Sequence, residues 1–499
     1  MLILSEETRF QAEVPTISIF KGRYILWRES FHTNPGRLGL IILAGAKVVF
    51  GPIRITDSYK GLISVGAGLP ELSRDGLNLL IKFRPIKNPM NDVILLDYHI
   101  PFFNPDNPWT ELDIPLHEVI GQEGSFVLEC TPGKENDPTA DHLAVYEFVI
   151  SPKESFRLNR ARAFMSRRMA NERKFFTQVY EHSMYEETSH PDNSDVRENS
   201  ESSAPAAHQT PLFPVSVYGH VMALLNAKLD TQPPNFFERM KNKVVYQKNA
   251  GTGTKKKIKI LSLCSGAARI ETEFIRQLPP ESVDLTLSDI NPILLDRARK
   301  KLERYCKVQI LQSDINTINT GEIDNKKFDI IMCVSALHHI VELEKVMHFV
   351  SLNLADEGEF WVIGEYVGKN GNRLWPETYE IANGFFQRLP EKYRINKTSS
   401  ASARTDNALP NNDCSLNVFE GIRSEDIENC LAQYFTPLSV HKYCCFLWRL
   451  FDLAYCDNYD LRSPEDLKII QDAIELELAH YYSGGKPSTL NGIYTKKLC

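Results

Sequence analysis

Lys257–Phe274 reads KIKILSLCSGAARIETEF, and this stretch decides the fold. A lysine-led apolar run ends in the small residues Ser265-Gly266-Ala267-Ala268, and a helix-compatible segment follows. The pattern predicts a buried parallel strand, a tight turn, and a helix whose free N–H groups face the loop. Small side chains let the backbone approach a nucleotide-like ligand. A single glycine is far short of a dinucleotide fingerprint, so the stretch needs its sequel. Val283–Leu302, VDLTLSDINPILLDRARKKL, supplies it: a second apolar run ends in Asp289, and a helix begins at Pro292. An acid at the end of a second strand can accept both hydroxyls of a ribose.

Three further segments follow: QSDINTI (312–318), FDIIMCVSALHHI (328–340) and LADEGEFWVI (354–363). Together with the first two they resemble the class I S-adenosylmethionine-dependent methyltransferases, over roughly the second half of the chain. The resemblance implies an α/β Rossmann-like domain with a seven-stranded, mostly parallel sheet. One departure is plain. The family's acid near the end of the first strand is absent, with Ser262 or Cys264 in its place, and the glycine-rich loop is reduced to CSGAARIE.

The resemblance also assigns roles. Cys264, Ser265, Gly266 and Ala267 would face the methionine part of the cofactor, S-adenosyl-L-methionine. Asp289 would hold the ribose and Ile290 would pack on adenine. Asp314 would accept from the adenine amino group, with Ile315 beside it, and Ser335 would complete the cofactor pocket. Helix capping or turn formation is the alternative for Asp289 and for Asp314. The pair His338-His339 follows the fourth strand, where a side chain can reach the transferred methyl group. An alcohol acceptor must lose its proton during transfer, and a neutral imidazole near pH 7 is suited to take it. Glu365 and Tyr366, closing the fifth strand, are alternative bases. Trp375, Glu420 and Arg423 would line a substrate cap at about 366–435; a salt bridge and a helix cap are the alternative for Glu420 and Arg423. No metal is expected. EYVG…W (365–375) and EGIRSEDI (420–427) resemble a bacterial subgroup of these enzymes linked to surface-glycan or natural-product pathways.

The remainder of the 499 residues calls for two or three domains. Residues 1–152 hold short runs rich in branched and aromatic residues, such as LGLIILAGAKVVF (38–50) and LNLLIKF (77–83), separated by Gly, Pro, Asn and Asp. They predict a β-sandwich. The closing segments (109–133 and 141–151) resemble jelly-roll sandwiches of glycan-binding or glycan-processing proteins. Tyr98, Phe102 and Trp109 are read as core or rim packing before any sugar platform. Residues 153–185 predict a bridging helix with an arginine face. Residues 186–211 lack large apolar side chains and predict a flexible linker. The methyltransferase-like domain is set at 212–499. A sixth strand is expected at YCCFLWRLFDLAY (443–455), and a seventh, antiparallel, at the sheet's edge in GIYTKK (492–497).

A net charge of −7 argues against a general nucleic-acid binder. Ten cysteines include no CxxC pair, which speaks against a zinc site or disulfide scaffold and for reduced thiols in the cytoplasm. No stretch is apolar for long enough to span a bilayer. Three functions remain in play. The first is O-methylation of a sugar in a glycan or glycosylated small molecule. The second is methylation of a non-sugar natural product, with the sandwich as a docking or oligomerisation module. The third is a non-catalytic scaffold, for which the altered CSGAARIE loop is the support.

Overall fold

The computed structural model describes residues 1–3, 11–13, 25–29, 38–67, 76–100, 110–133, 142–163, 165–181, 216–249, 257–318, 327–397, 404–416 and 418–497. The segment 186–211, expected to be a linker, lies outside them, as do Phe102 and Trp109. The chain forms two compact units, Met1–Met169 and Ala170–Cys499.

The first unit is built from two antiparallel sheets. One runs Ile25–Glu29, Leu38–Leu43, His142–Pro152, Tyr59–Ala67, Thr110–Ile114, with Leu2–Ile3 also paired to His142–Pro152. The other runs Gln11–Glu13, Lys47–Arg54, Glu123–Pro132, Leu77–Pro85, Val93–Ile100. Alternation sets the faces: along Leu77–Pro85 every second residue is buried, beginning with Leu77, Leu79, Ile81 and Phe83. Inward side chains of both sheets merge into one core, where Phe50 stacks on Phe148 with ring centroids 5.3 Å apart and Phe126 meets Phe148 edge-on at 5.6 Å. Tyr98 packs against this core.

The second unit carries the seven-stranded sheet. Its first five strands are Ile258–Leu263, Val283–Asp289, Lys307–Gln312, Phe328–Val334 and Leu354–Tyr366. They pair in parallel in the order third, second, first, fourth, fifth. Val283–Asp289 and Phe328–Val334 are buried at nearly every position, because helices cover both faces of a parallel sheet. The order reverses between the first and fourth strands, and a crevice beyond the carboxyl ends forms at such a reversal.

The last two strands differ from the sequence reading. The seventh, Thr489–Lys496, is antiparallel as expected, but it lies between the fifth strand and the sixth and so leaves the edge to the sixth. The sixth strand is Phe435–Tyr443, and the apolar run after it is not a strand. Cys444 takes a left-handed φ of 62°, which ends the extended chain. The N–H groups of Cys445, Phe446 and Leu447 then donate to the buried carboxylate of Glu477, the latter two at 2.9 and 3.2 Å. The run coils into a core with helix Pro464–Tyr482. Edge position explains the sixth strand's composition: most of its residues are exposed, and it carries Pro437 at a register shift and Lys442. Among the described residues, no helix is long and apolar enough to cross a membrane.

Candidate functional site

The loop after the first strand is wound tightly. Cys264, Gly266 and Ala268 all have φ near +50°, so the backbone doubles back before helix Arg269–Ile275. The hydroxyl of Ser265 in this loop is buried and has no hydrogen-bond partner. A buried polar atom without a partner is costly unless something polar fills the space before it. Ser262, in the first strand, is also buried, and its hydroxyl donates to the buried Glu271 carboxyl. A carboxyl therefore does reach this strand end, from the helix rather than from the strand. Its spacing nine residues later gave no sign of it.

Asp289 closes the second strand. Its Oδ2 accepts from Gly266 N and its Oδ1 from Asn291 N, each at 2.8 Å. Burial raises its pKa, and the N–H groups of Asn291 and Gly266 oppose the rise. Ile290 N also bonds to this carboxylate, and the lone pairs beyond these N–H groups leave capacity to accept a hydroxyl. Asn291, not Asp289, caps the next helix through bonds to Ile293 N (3.0 Å) and Leu294 N (3.4 Å), with Pro292 opening the first turn. Ile290 is half-buried beside it. Asp314 Oδ1 accepts from Asn316 N at 2.9 Å, the turn-forming alternative. Ile315 is buried in the core with Leu337 and Ile340. Asn316 was not singled out in the sequence, yet its side-chain oxygen accepts from Val341 N (2.9 Å) and Glu342 N (3.1 Å) and ties this loop to the one after the fourth strand. Ser335 has a φ of 47° and donates its N–H to Ile363 O at 2.8 Å, which turns the chain toward the histidines.

His338 and His339 sit in a short 3-10 turn, Leu337–His339. Glu365 organises it. This fully buried carboxylate accepts from Ala336 N, Leu337 N and His338 N at 3.0, 2.8 and 3.0 Å, and pairs with His338 Nδ1 at 2.5 Å. His339 Nδ1 pairs with Glu172 Oε1 at 2.6 Å, and Glu172 Oε2 accepts from Phe419 N at 3.1 Å. Glu420 faces both rings: its oxygens lie 3.5 Å from His338 Nε2 and 3.3 Å from His339 Nε2. Asn372 Nδ2 donates to Glu420 Oε1 at 2.9 Å.

These contacts revise several expectations. Burial would lower the pKa of His338, but the charges of Glu365 and Glu420 outweigh it and hold the ring up, to about 10. The ring is then not neutral at pH 7 in the free protein. Glu365 is a positioning group, because both its oxygens are occupied by backbone N–H groups. Burial would raise its carboxyl, yet the His338 charge and those N–H groups pull it below the ordinary range. Tyr366 is no base either: its hydroxyl donates to Arg373 O at 2.7 Å, burial pushes its pKa far up, and its ring packs on Trp448. Arg423 does not line an acceptor site. Its guanidinium is buried and donates to Glu344 at 2.8 and 2.6 Å, to Asp426 at 2.8 Å and to Val341 O at 2.8 Å. Trp375 opens helix Pro376–Arg388 with the Lys486 ammonium 4.5 Å above its ring. Besides Glu271 and Asn316, the sequence did not point to Glu172. It stands among arginines and lysines in ANERK, where nothing marks it as buried.

Arg423 carries its own prediction. Arg423→Ala leaves Glu344 and Asp426 without their cation and should cost about 2 kcal/mol of stability, less than a fully buried pair because Glu344 is partly exposed. The hydrogen bond from Arg423 lowers the Glu344 pKa, so this stabilisation is present above the ordinary glutamate range and is lost as pH falls through the folded value. Urea midpoints of wild type and variant should differ at pH 7 and converge in acid.

Residues 261–360 match the family described as "Methyltransferase domain". The cofactor this match indicates is S-adenosyl-L-methionine. The residues present fit it: an orphan hydroxyl in the first loop and a carboxylate with spare acceptor capacity at the next strand end. No curated protein matches the chain. Among solved structures, the PH0226 protein of Pyrococcus horikoshii OT3 is 14% identical over 54% of this chain and 94% of its own, with a TM-score of 0.27. The plantazolicin methyltransferase BpumL in complex with SAH is 13% identical over 56% and 90%, with a TM-score of 0.27. The N-methyltransferase NodS of Bradyrhizobium japonicum WM9 is 12% identical over 53% and 98%, with a TM-score of 0.25.

Proposed function

We propose that the chain is an S-adenosylmethionine-dependent methyltransferase whose acceptor is a hydroxyl of a sugar, in a glycan or a glycosylated small molecule. The observation that carries this reading is the placement of two sets of groups at the carboxyl ends of the sheet's strands. Ser265, Gly266 and Asp289 stand at the ends of the first and second strands, and the His338–His339–Glu420 cluster stands beyond the fourth. When bound, the cofactor supplies a methyl carbon on a sulfonium, and transfer breaks that bond as the acceptor oxygen forms a new one. Asp289 holds the ribose and Ser265 meets the methionine end. Asp314, whose Oδ1 holds Asn316, offers its carboxylate to adenine, and Ile290 supplies an apolar face. The acceptor's proton leaves to the cluster through His339, while His338, held charged by Glu365 and Glu420, orients the acceptor oxygen; Glu365 and Glu172 hold the two rings in place. A cluster of carboxylate, imidazole and Asn372 amide suits a polyol better than an apolar natural product, since a buried polar site left unpaired is penalised.

In this reading residues 1–152 form a β-sandwich that engages glycan, and 212–499 carry the chemistry beneath a cap at about 366–435. The test incubates the full chain with isotope-labelled cofactor and a panel of sugar nucleotides and glycans. Labelled methyl on a sugar oxygen, by mass spectrometry and carbon NMR, is the expected result. Label on phenols or amines alone would reject the sugar.

A further inference from the structure

We propose that His338, His339 and Glu420 form a binding site for one divalent transition-metal ion, of the Zn²⁺, Co²⁺ or Fe²⁺ class. The donor atoms converge. One atom from each of the three residues lies within 4.8 Å of the others, and Glu420 oxygens stand 3.5 and 3.3 Å from the two Nε2 atoms. Donors bound to one ion at about 2.0–2.2 Å stand about 3 to 3.5 Å apart, so each imidazole–carboxylate contact already has that spacing and the set as a whole closes by side-chain rotation.

Orientation is the stronger argument. Metal-ligating histidines donate their other ring nitrogen to a carboxylate or carbonyl, which fixes the tautomer and leaves the second nitrogen free for the ion. Both histidines obey this here, on independent partners: His338 Nδ1 on Glu365 at 2.5 Å and His339 Nδ1 on Glu172 at 2.6 Å. The two carboxylates come from different places, the fifth strand and helix Met165–Glu181. Glu420 is itself held, by Asn372 Nδ2 at 2.9 Å. A side-chain set in which every donor has its own support is arranged to point at a common centre.

Charge agrees. Glu172, Glu365 and Glu420 bring three carboxylates to two imidazoles, with Arg449 as a further cation facing Glu420. A metal ion between the Nε2 atoms and Glu420 would replace protons there. Two imidazoles and one carboxylate suit borderline transition ions and not Mg²⁺ or Ca²⁺, which prefer all-oxygen shells. Three protein ligands leave coordination positions open, and a hydroxyl bound at one would be more acidic. The cation site does not depend on the acceptor being a sugar, since its test uses neither methyl donor nor acceptor.

The experiment titrates Co²⁺ into the metal-stripped full chain and reads visible ligand-field absorption and calorimetric heat. The expected result is one ion per chain with nitrogen and oxygen ligation, displaced by Zn²⁺ and not by Mg²⁺. Glu420→Gln and His339→Ala should each weaken binding by at least about tenfold, and Glu172→Gln, which removes the charge from the support of His339 and keeps an acceptor for Phe419 N, by about tenfold. Circular dichroism confirms that each variant is folded. Glu420→Gln is the safest of them, because that side chain is partly exposed. Absence of one-to-one binding would overturn the site and leave a charged hydrogen-bond cluster. Unchanged affinity in folded Glu420→Gln and His339→Ala would do the same, as would a thiolate charge-transfer band placing the ion on cysteine. Any of these results leaves methyl transfer itself untouched, and failure of methyl transfer leaves the ion site standing.

Discussion

His338→Ala should lower turnover by about a hundredfold or more while cofactor affinity stays within a few-fold of wild type. The ring lies at the carboxyl end of the fourth strand, with Nε2 turned to Glu420 and Nδ1 fixed by Glu365. Removing it takes away the ring proposed to face the acceptor and leaves the loops at Ser265 and Asp289, proposed to hold the cofactor, unchanged. Glu365 keeps its backbone donors in the variant, so the turn Leu337–His339 retains its main support. His339→Ala should show the same split between turnover and cofactor affinity, because Glu420 lies as close to that ring. A single-turnover assay with saturating cofactor separates the two quantities. Near-normal rates in both variants would remove the histidines from the acceptor site and with them the hydroxyl mechanism.

Asp289→Ala should weaken cofactor binding by at least about tenfold, measured by equilibrium dialysis with labelled cofactor. A charge-assisted bond to each ribose hydroxyl contributes about 1.5–3 kcal/mol before compensation, and a factor of ten corresponds to about 1.4 kcal/mol. The carboxylate also accepts from Gly266 N, so the variant loosens the first loop as well as losing the ribose contact. Asp289→Asn distinguishes these effects. It keeps an acceptor oxygen for Gly266 and loses the charge, so it should bind with affinity between wild type and alanine. The melting temperature of the unliganded protein should fall in Asp289→Ala, which leaves Gly266 N and Asn291 N without their acceptor, and fall less in Asp289→Asn. Unchanged affinity in a folded alanine variant would take Asp289 out of the site.

The parts of this molecule that were legible in the sequence are those written locally. A parallel strand buried on both faces shows as a continuous apolar run, and a strand–turn–helix junction shows as small residues followed by a cap. Lys257–Phe274 and Val283–Leu302 therefore announced themselves, as did the alternation of the first unit's strands. Edge position hid the sixth strand. FTPLSVHKY buries little beyond Phe435 and His441, so it lacks the signal that YCCFLWRLFDLAY carries as part of a core around Glu477. Pairing order is not local either, and nothing in GIYTKK says that it inserts between two strands rather than bordering one. Side-chain partnership was the least legible. Arg423 and Tyr366 have the chemistry of a site but use it on Glu344 and on backbone carbonyls. Glu172 reaches His339 from 167 residues away.

Methyl transfer by this chain requires that it bind the cofactor. Calorimetric titration of S-adenosylhomocysteine into the 499-residue chain should give one saturable site per chain, weakened in Asp289→Ala and preserved in His338→Ala. No heat of binding from a folded wild-type protein at millimolar ligand, or equal affinity in wild type and Asp289→Ala, would contradict it.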